Sequence, residues 1–422
     1  MKRLAVFLVL LISATSFSQE NKTFSLQMLY EAFEMNHPIS KINPALDSVT
    51  ALQISNIRTT YLPKMDFNAT ATWQSDVIEF NINLPIPGIV FPSPDPDQYK
   101  LTLDVTQVIW DGGATKVRKE IAQSQLNADK SSIVNELYSF RDKINDAFFS
   151  VILLNVGLDQ LKLMHEELNA RLETLKSGVR EGVVLPSAGL SLEAEILRLE
   201  QKMIEIPARK ASLFKVIESL TGLTISPSDS LVLPNIKVEN ENTILRPELS
   251  AFESQKSLFD SRAKLTSAKR MPVVSGFVTA GYGKPGLNML SADWDNYIVA
   301  GARLSWNIWD WNQAKREREQ LKIQSSVIDF RRKAFSEAVN SQISSSLSEI
   351  ETLNQQIEKD EKIVSLLDEV KAKSASQMAN GTKSSSEFLS DFNAAARAKL
   401  DMEQRKIMLE KEKTKLNYLI GK

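Results

Sequence analysis

The sequence predicts a mainly α-helical fold with a small membrane β part. Long coiled-coil hairpins carry four strands per chain, arranged as two tandem structural repeats. Three observations predict this. Apolar residues recur every three or four positions over long stretches. Four short segments approach a period of two. A set of local motifs recurs in the same order in both halves. Composition agrees, because 15 glycines in 422 residues fall well below the usual ~7%, as suits long helices.

Composition also excludes functions. Lys and Arg number 51 against 52 Asp and Glu, a net charge of −1. No basic surface for nucleic acid is expected from that balance. The absence of cysteine excludes disulfides, thiolate metal sites and cysteine nucleophiles. His37 and His165 are the only histidines, too few for the usual zinc or copper site. Glu166 and Glu167, like Glu193 and Glu195, belong to helical charge runs rather than acid/base pairs. Gly281-Tyr282-Gly283 is not a phosphate loop, since no helix opening with Lys-Ser/Thr follows. No enzyme, cofactor or resident metal is expected.

Residues 1–18 read as a secretory signal peptide. Lys2 and Arg3 precede the apolar run Leu4 to Ile12, and Ser16-Phe17-Ser18 fits cleavage after Ser18. No later segment has eighteen uninterrupted apolar residues, so no transmembrane helix is expected. The mature chain is exported.

Repeat 1 spans 19–222 and opens with a helix. Leu62-Pro63-Lys64 ends that helix. A strand at about 65–77 follows, with Met65, Phe67, Ala69, Ala71 and Trp73 alternating with Asp66, Asn68, Thr70 and Thr72. A second strand at about 99–109 alternates Tyr99, Leu101, Leu103 and Val105 with Lys100, Thr102 and Asp104. Both match transmembrane β-strands, apolar to lipid and polar to a lumen; a soluble hairpin on a sheet is the other reading. Between them Pro85, Pro87, Pro92, Pro94 and Pro96 mark an exposed loop. A long helix then carries a heptad seam through Phe148, Val151, Leu158, His165, Leu172 and Val179. His165 is expected as a seam or surface position. The hairpin breaks at about 178–188. The return helix should kink or break at Pro207.

A linker at 223–246 leads to repeat 2, 247–422. Arg270-Met271-Pro272 again ends a helix and opens a strand. Strands are expected at about 273–283 and 297–308, and a break at about 379–386. Ile308-Trp309-Asp310 echoes Ile109-Trp110-Asp111, and Lys315 and Glu319 recur at the same offset from Lys116 and Glu120. Trp110, Trp306, Trp309 and Trp311 cluster where strand becomes helix. They form either an interfacial girdle or packing at a junction. Each long helix would be ~100 Å at 1.5 Å per residue, so the molecule is expected to be very elongated. Four strands cannot close a membrane barrel, for which eight is about the minimum, so several chains must contribute.

These features together resemble the TolC-like outer membrane efflux proteins, from about Phe24 to Gly421. Two motifs carry the likeness. One is Trp110-Asp111-Gly112-Gly113, whose second copy, Trp309-Asp310-Trp311-Asn312, lacks the glycines. The other is the glycine-bearing break, Glu181-Gly182-Val183-Val184 and Asn380-Gly381-Thr382-Lys383.

The resemblance implies a homotrimer in the cell outer membrane. Three chains would form a twelve-stranded transmembrane β-barrel and a hollow α-helical barrel in the periplasm. The tips, at Gly182 and Val183 and at Gly381 and Thr382, would dock a periplasmic adaptor, and through it an inner-membrane pump. The family's pore gate maps to Lys383, to Glu387 as a first acidic ring, and to Ser390, beside Asp391, at the place of a second. Ala188 stands where the family has the acidic partner of the basic gate residue. Glu387 also reads as a capping acid after Ser384-Ser385-Ser386. The function implied is the exit duct of a tripartite efflux or type I secretion system, with outer membrane lipid and no nucleic acid among its partners. The alternative is an exported periplasmic coiled-coil scaffold without a pore.

Overall fold

The computed structural model describes residues 22–78, 93, 95–181, 186–226, 228–237, 243–289 and 291–422. The expected signal peptide with Ser18, the prolines 85, 87, 92 and 94 of the expected loop, and the expected tip residues Gly182 and Val183 lie outside the described residues.

The chain begins with β1 (Thr23–Phe24), α1 (Leu26–Asn36) and α2 (Ile42–Arg58). Two strands follow, β2 (Lys64–Trp73) and β3 (Asp97–Trp110). Then come α3 (Ala114–Arg180), α4 (Pro186–Thr221) and the two-residue β4 (Ser230–Leu231). α5 (Pro247–Ala268), β5 (Val273–Lys284), β6 (Asp295–Ser305), α6 (Gln313–Ala379) and α7 (Ser385–Ile420) complete the chain. α3 and α6 are both 67 residues long, and α4 and α7 are both 36.

Two compact units divide these elements. One comprises residues 1–37, 139–243 and 343–420. Its main described core joins Leu168, Leu172 and Leu175 of α3 to Leu192, Ile196 and Leu199 of α4, with Ala375 and Met378 of α6 and Phe388 and Phe392 of α7. These are the heptad positions, apolar because each faces a neighbouring helix. α1 is tied to α3 by the Tyr30–Asn145 hydrogen bond, the 3.1 Å Arg141–Glu34 ion pair and the Phe33–Phe140 rings 5.2 Å apart. β1 and β4 pair in parallel, and Asp229 accepts from the Lys22 amide at 3.0 Å. Residues 229–232 are thereby bonded to the N-terminal segment. His165 is half-buried and meets Glu200 at 3.0 Å.

One helical expectation needs correction, and one helix is apolar enough to note. α4 continues through Pro207, which is exposed together with Ile204 and Glu205. The carbonyl that Pro207 leaves without a donor is that of Met203, half-exposed beside this surface, and the helix survives. α3 contains an eighteen-residue window of mean hydropathy 1.4, long and apolar enough by length and composition to cross a membrane. Ile144, Phe148, Phe149 and Val151 of α3 are fully buried within this unit, while 28% of the window as a whole is buried.

The other unit comprises residues 38–138, 244–342 and 421–422. It holds an antiparallel sheet in the order β2-β3-β5-β6. Prolines bound its ladders. Pro63 precedes β2, Pro96 lies opposite Gln74, Pro272 precedes β5 and Pro285 follows it. Proline has no amide to donate, so pairing stops at each. This corrects two ends: β2 stops at Trp73 rather than 77, and β6 at Ser305 rather than 308.

Candidate functional site

The sheet register sorts its residues onto two faces. Asp66 lies opposite Asp104, and Asn68 opposite Thr102. Asp104 in turn lies opposite Thr279, and Ser275 opposite Arg303. Asp104 accepts from Asn68 at 2.8 Å, Thr102 at 2.8 Å and Thr279 at 2.5 Å. The polar face is thus knotted across three strands. Two aromatic rings lie on it over cross-strand glycines. A Cβ on Gly281 would sit 2.1 Å from the Tyr297 ring, and one on Gly301 would sit 3.0 Å from Phe277. Arg303 stacks 5.4 Å over Phe277.

The opposite face carries Met65, Phe67, Leu101, Leu103, Val278, Ile298 and Leu304, all exposed. Phe67 is 70% exposed and Ile298 75%. A register shift between Val108 and Trp110 puts Trp110 opposite Val274, on this same face. The far end of the face carries Trp294 stacked on Tyr99 and Tyr282, 5.8 and 5.0 Å away. Tyr99 to Trp110 measures about 36 Å along the strand at ~3.3 Å per residue.

The strand-to-helix junctions differ between the halves. After β3, Asp111 is buried and accepts from Tyr61 at 2.7 Å, the Gly113 amide at 3.1 Å and the Thr115 amide at 2.6 Å. Burial opposes its charge, but the bonds from Thr115, Tyr61 and Gly113 prevail and hold its carboxyl below the ordinary value. Gly112 has φ +66, and a Cβ there would fall 2.2 Å from Met271, so glycine is required. After β6, Asp310 accepts from the Ala314 amide at 3.0 Å. Here the left-handed positions are held by Trp311 (φ 52) and Asn312 (φ 61).

The second hairpin tip gathers the expected gate residues. Gly381, at φ +71, ends α6. Its amide bonds to Met378 at 3.1 Å, and the Thr382 amide to Gln377 at 3.0 Å, a Schellman motif. Glu387 caps α7. Its carboxylate accepts from the Ser384 amide at 2.9 Å and hydroxyl at 2.6 Å, while its own amide bonds to the Ser384 hydroxyl at 3.3 Å. These Ser384 bonds hold the Glu387 carboxyl below its ordinary value. Lys383 pairs with Asp391 on the same hairpin and lowers that carboxyl too. Ser390 is exposed.

Contacts that sequence reasoning missed join this hairpin to the first. Arg171 lies 5.1 Å over the Phe388 ring, Lys371 pairs with Glu167 at 3.2 Å, and Asn393 donates to Glu195 at 3.2 Å. The only sequence signal for them is the phase of polar residues beside each apolar seam. Near the first tip a groove of about 420 Å³ is lined by Leu172, Val179, Pro186 and Leu190.

No family model and no curated protein sequence matches the chain. Solved structures do. The CmeC outer membrane channel of Campylobacter jejuni is 14% identical, with 94% of this chain and 85% of that one covered at a TM-score of 0.66. The outer membrane protein VceC of Vibrio cholerae is 15% identical, with coverage of 94% and 96% and a TM-score of 0.66. The MtrE outer membrane channel of Neisseria gonorrhoeae, in its open state, is 12% identical, with coverage of 94% and 89% and a TM-score of 0.65.

Proposed function

We propose that this chain, which has the fold of the TolC-like outer membrane channels, is the outer-membrane exit duct of a tripartite efflux or type I secretion system. Substrates pass through it passively from a periplasmic adaptor to the exterior. No covalent step is required of it. The observation that carries this reading is the open four-stranded sheet, polar on one face and exposed apolar on the other. In lipid a sheet has no water to satisfy its edges, so it must close. Three copies, each joining β6 to the next copy's β2, close twelve strands, which exceeds the minimum of about eight. At a tilt of ~40°, the ~36 Å from Tyr99 to Trp110 gives an apolar band of about 28 Å between two aromatic levels. That matches the ~25 Å band of such barrels.

The helices form the periplasmic conduit, and their tips dock the adaptor and, through it, an inner-membrane pump. The equal lengths of α3 and α6, and of α4 and α7, support a tandem duplication. Lys383 offsets Asp391 on its own hairpin. Three copies of Glu387 then supply the uncompensated acid of the constriction, favouring cations.

Single-channel recording in planar bilayers tests this. The purified protein is expected to conduct with cation preference. Glu387→Gln, which keeps the capping geometry, should lower that preference without abolishing conductance. Recovery of the mature protein in the soluble fraction, with no conductance, would overturn the channel reading.

A further inference from the structure

The segment joining β6 to α6 is unlike its counterpart. After β3 the chain turns through Gly112 and Gly113, at φ +66 and +86. After β6 the same two places hold Trp311 and Asn312, also at positive φ. A bulky residue in the left-handed region is uncommon and is retained where something compensates for it. Nothing within the described chain does so by burial, since Trp311 is 76% exposed, and Trp306, Ile308 and Trp309 are exposed beside it. The strain therefore holds an indole outward, where a partner would cover it.

Cations flank the segment. The Trp306 indole donates to the Arg270 carbonyl at 3.0 Å, and the Arg316 guanidinium donates to the Trp311 carbonyl at 2.8 Å. These two bonds bring the end of α5 and the start of α6 against the tryptophans. Lys269, Arg270, Lys315 and Arg316 are all exposed. Among the described residues none of the four is in an ion pair. Three acids lie nearby: Asp310 caps α6 and attracts Arg270 electrostatically, Glu317 accepts from Gln313 at 3.0 Å, and Glu319 is exposed one turn beyond Lys315, so the four cations outnumber the acids by one.

We infer that residues 306–316, with Lys269 and Arg270, form a binding surface for the phosphate head groups of anionic phospholipid, in the leaflet facing the helices. This rests on the outer-membrane reading. Amphipathic indoles settle at head-group depth, and surface Lys and Arg are drawn to anionic lipid. A second copy of the chain is the poorer occupant. The β2 edge it would bring to this end opens with Lys64, after Arg58 at the end of α2, both exposed, and these two cations against the single acid Asp66 offer mainly like charge.

Tryptophan quenching by brominated lipids tests the inference in full-length protein reconstituted into vesicles. One set carries brominated phosphatidylglycerol, the other brominated phosphatidylcholine at equal bromine. The native chain is expected to be quenched about twofold more by the anionic lipid, and the difference should vanish in 1 M salt, where the Debye length is only ~3 Å. Joint Lys269→Gln, Arg270→Gln, Lys315→Gln and Arg316→Gln replacement should also abolish it, whereas Arg270→Lys with Arg316→Lys should retain it. Equal quenching of the native chain by both lipids would overturn the inference. So would a Trp311→Gly variant that loses its trimer while keeping the lipid preference, since the segment would then be a subunit contact. Quenching by neither lipid would instead remove the outer-membrane reading beneath it.

Discussion

Asp111 shows how much one side chain can organise. It ends a strand, caps the 67-residue α3 and receives the Tyr61 hydroxyl. Removing it strips an N-cap, which costs about 0.5–2 kcal/mol, and leaves Tyr61 without its acceptor. Its folded-state carboxyl lies below the ordinary value, so its charge stabilises the fold above the unfolded-state pKa of about 3.9. That contribution is lost as pH falls through the lower folded value. Asp111→Asn is therefore expected to lower the melting temperature at pH 7, with the gap to the native chain narrowing toward pH 3. Circular dichroism melts across that range measure it; a gap independent of pH would contradict the account. The aspartate was legible in the Trp-Asp-Gly-Gly motif, but its bond to Tyr61 was not, because fifty positions separate the two residues.

At the scale of elements, period explains most of what the sequence disclosed. Heptad spacing located the seam of α3, and Phe148, Leu168 and Leu172 are indeed buried. In α6 the apolar spacing Ile343, Leu347, Ile350, Leu353 and Ile357 predicts a seam, yet Leu347 is exposed while its neighbour Ser346 is fully buried. A small serine lets helices approach where a leucine would hold them apart, and apolar counting cannot see that. Strand ends were misplaced for a similar reason. Alternation continues past Ser305 through Trp306 and Ile308, but Pro272 on the neighbouring strand withholds the donor that pairing needs, as Pro96 does opposite Gln74. The aromatic pair Phe388 and Phe392, both fully buried, belongs to the core that links the hairpins. Phe392→Ala should cost about 3–5 kcal/mol of local stability. Hydrogen exchange would show this as faster opening of α7 near its start, with the sheet amides unchanged. Equal acceleration throughout would mean the hairpin is not an independent element.

For the whole molecule, the sequence contained the closure problem but not its solution. Four period-two segments are too few for a barrel, and only the antiparallel order of the sheet identifies β2 and β6 as the edges. The chain has no cysteine, which makes closure directly testable. Ala69→Cys on β2, combined with Cys replacements at Ile298, Ala300 or Ala302 on β6, should give disulfide-linked dimers and trimers on non-reducing gels. β2 and β6 lie at opposite edges of one sheet, so a bond within a chain is excluded by geometry. Monomers from every pair would refute closure between copies. The tip was legible down to its glycine and its capping acid. The pairing of Lys383 with Asp391 was not, since it depends on the turn that Gly381 makes.

The glycines beneath Tyr297 and Phe277 bear on the proposed duct. Rings lying over Gly281 and Gly301 take the space that a side chain there would need. A methyl group at either glycine would push a ring off the polar face of the sheet. In the proposed barrel, the clearance would thus be set by two missing side chains as much as by the residues that line it.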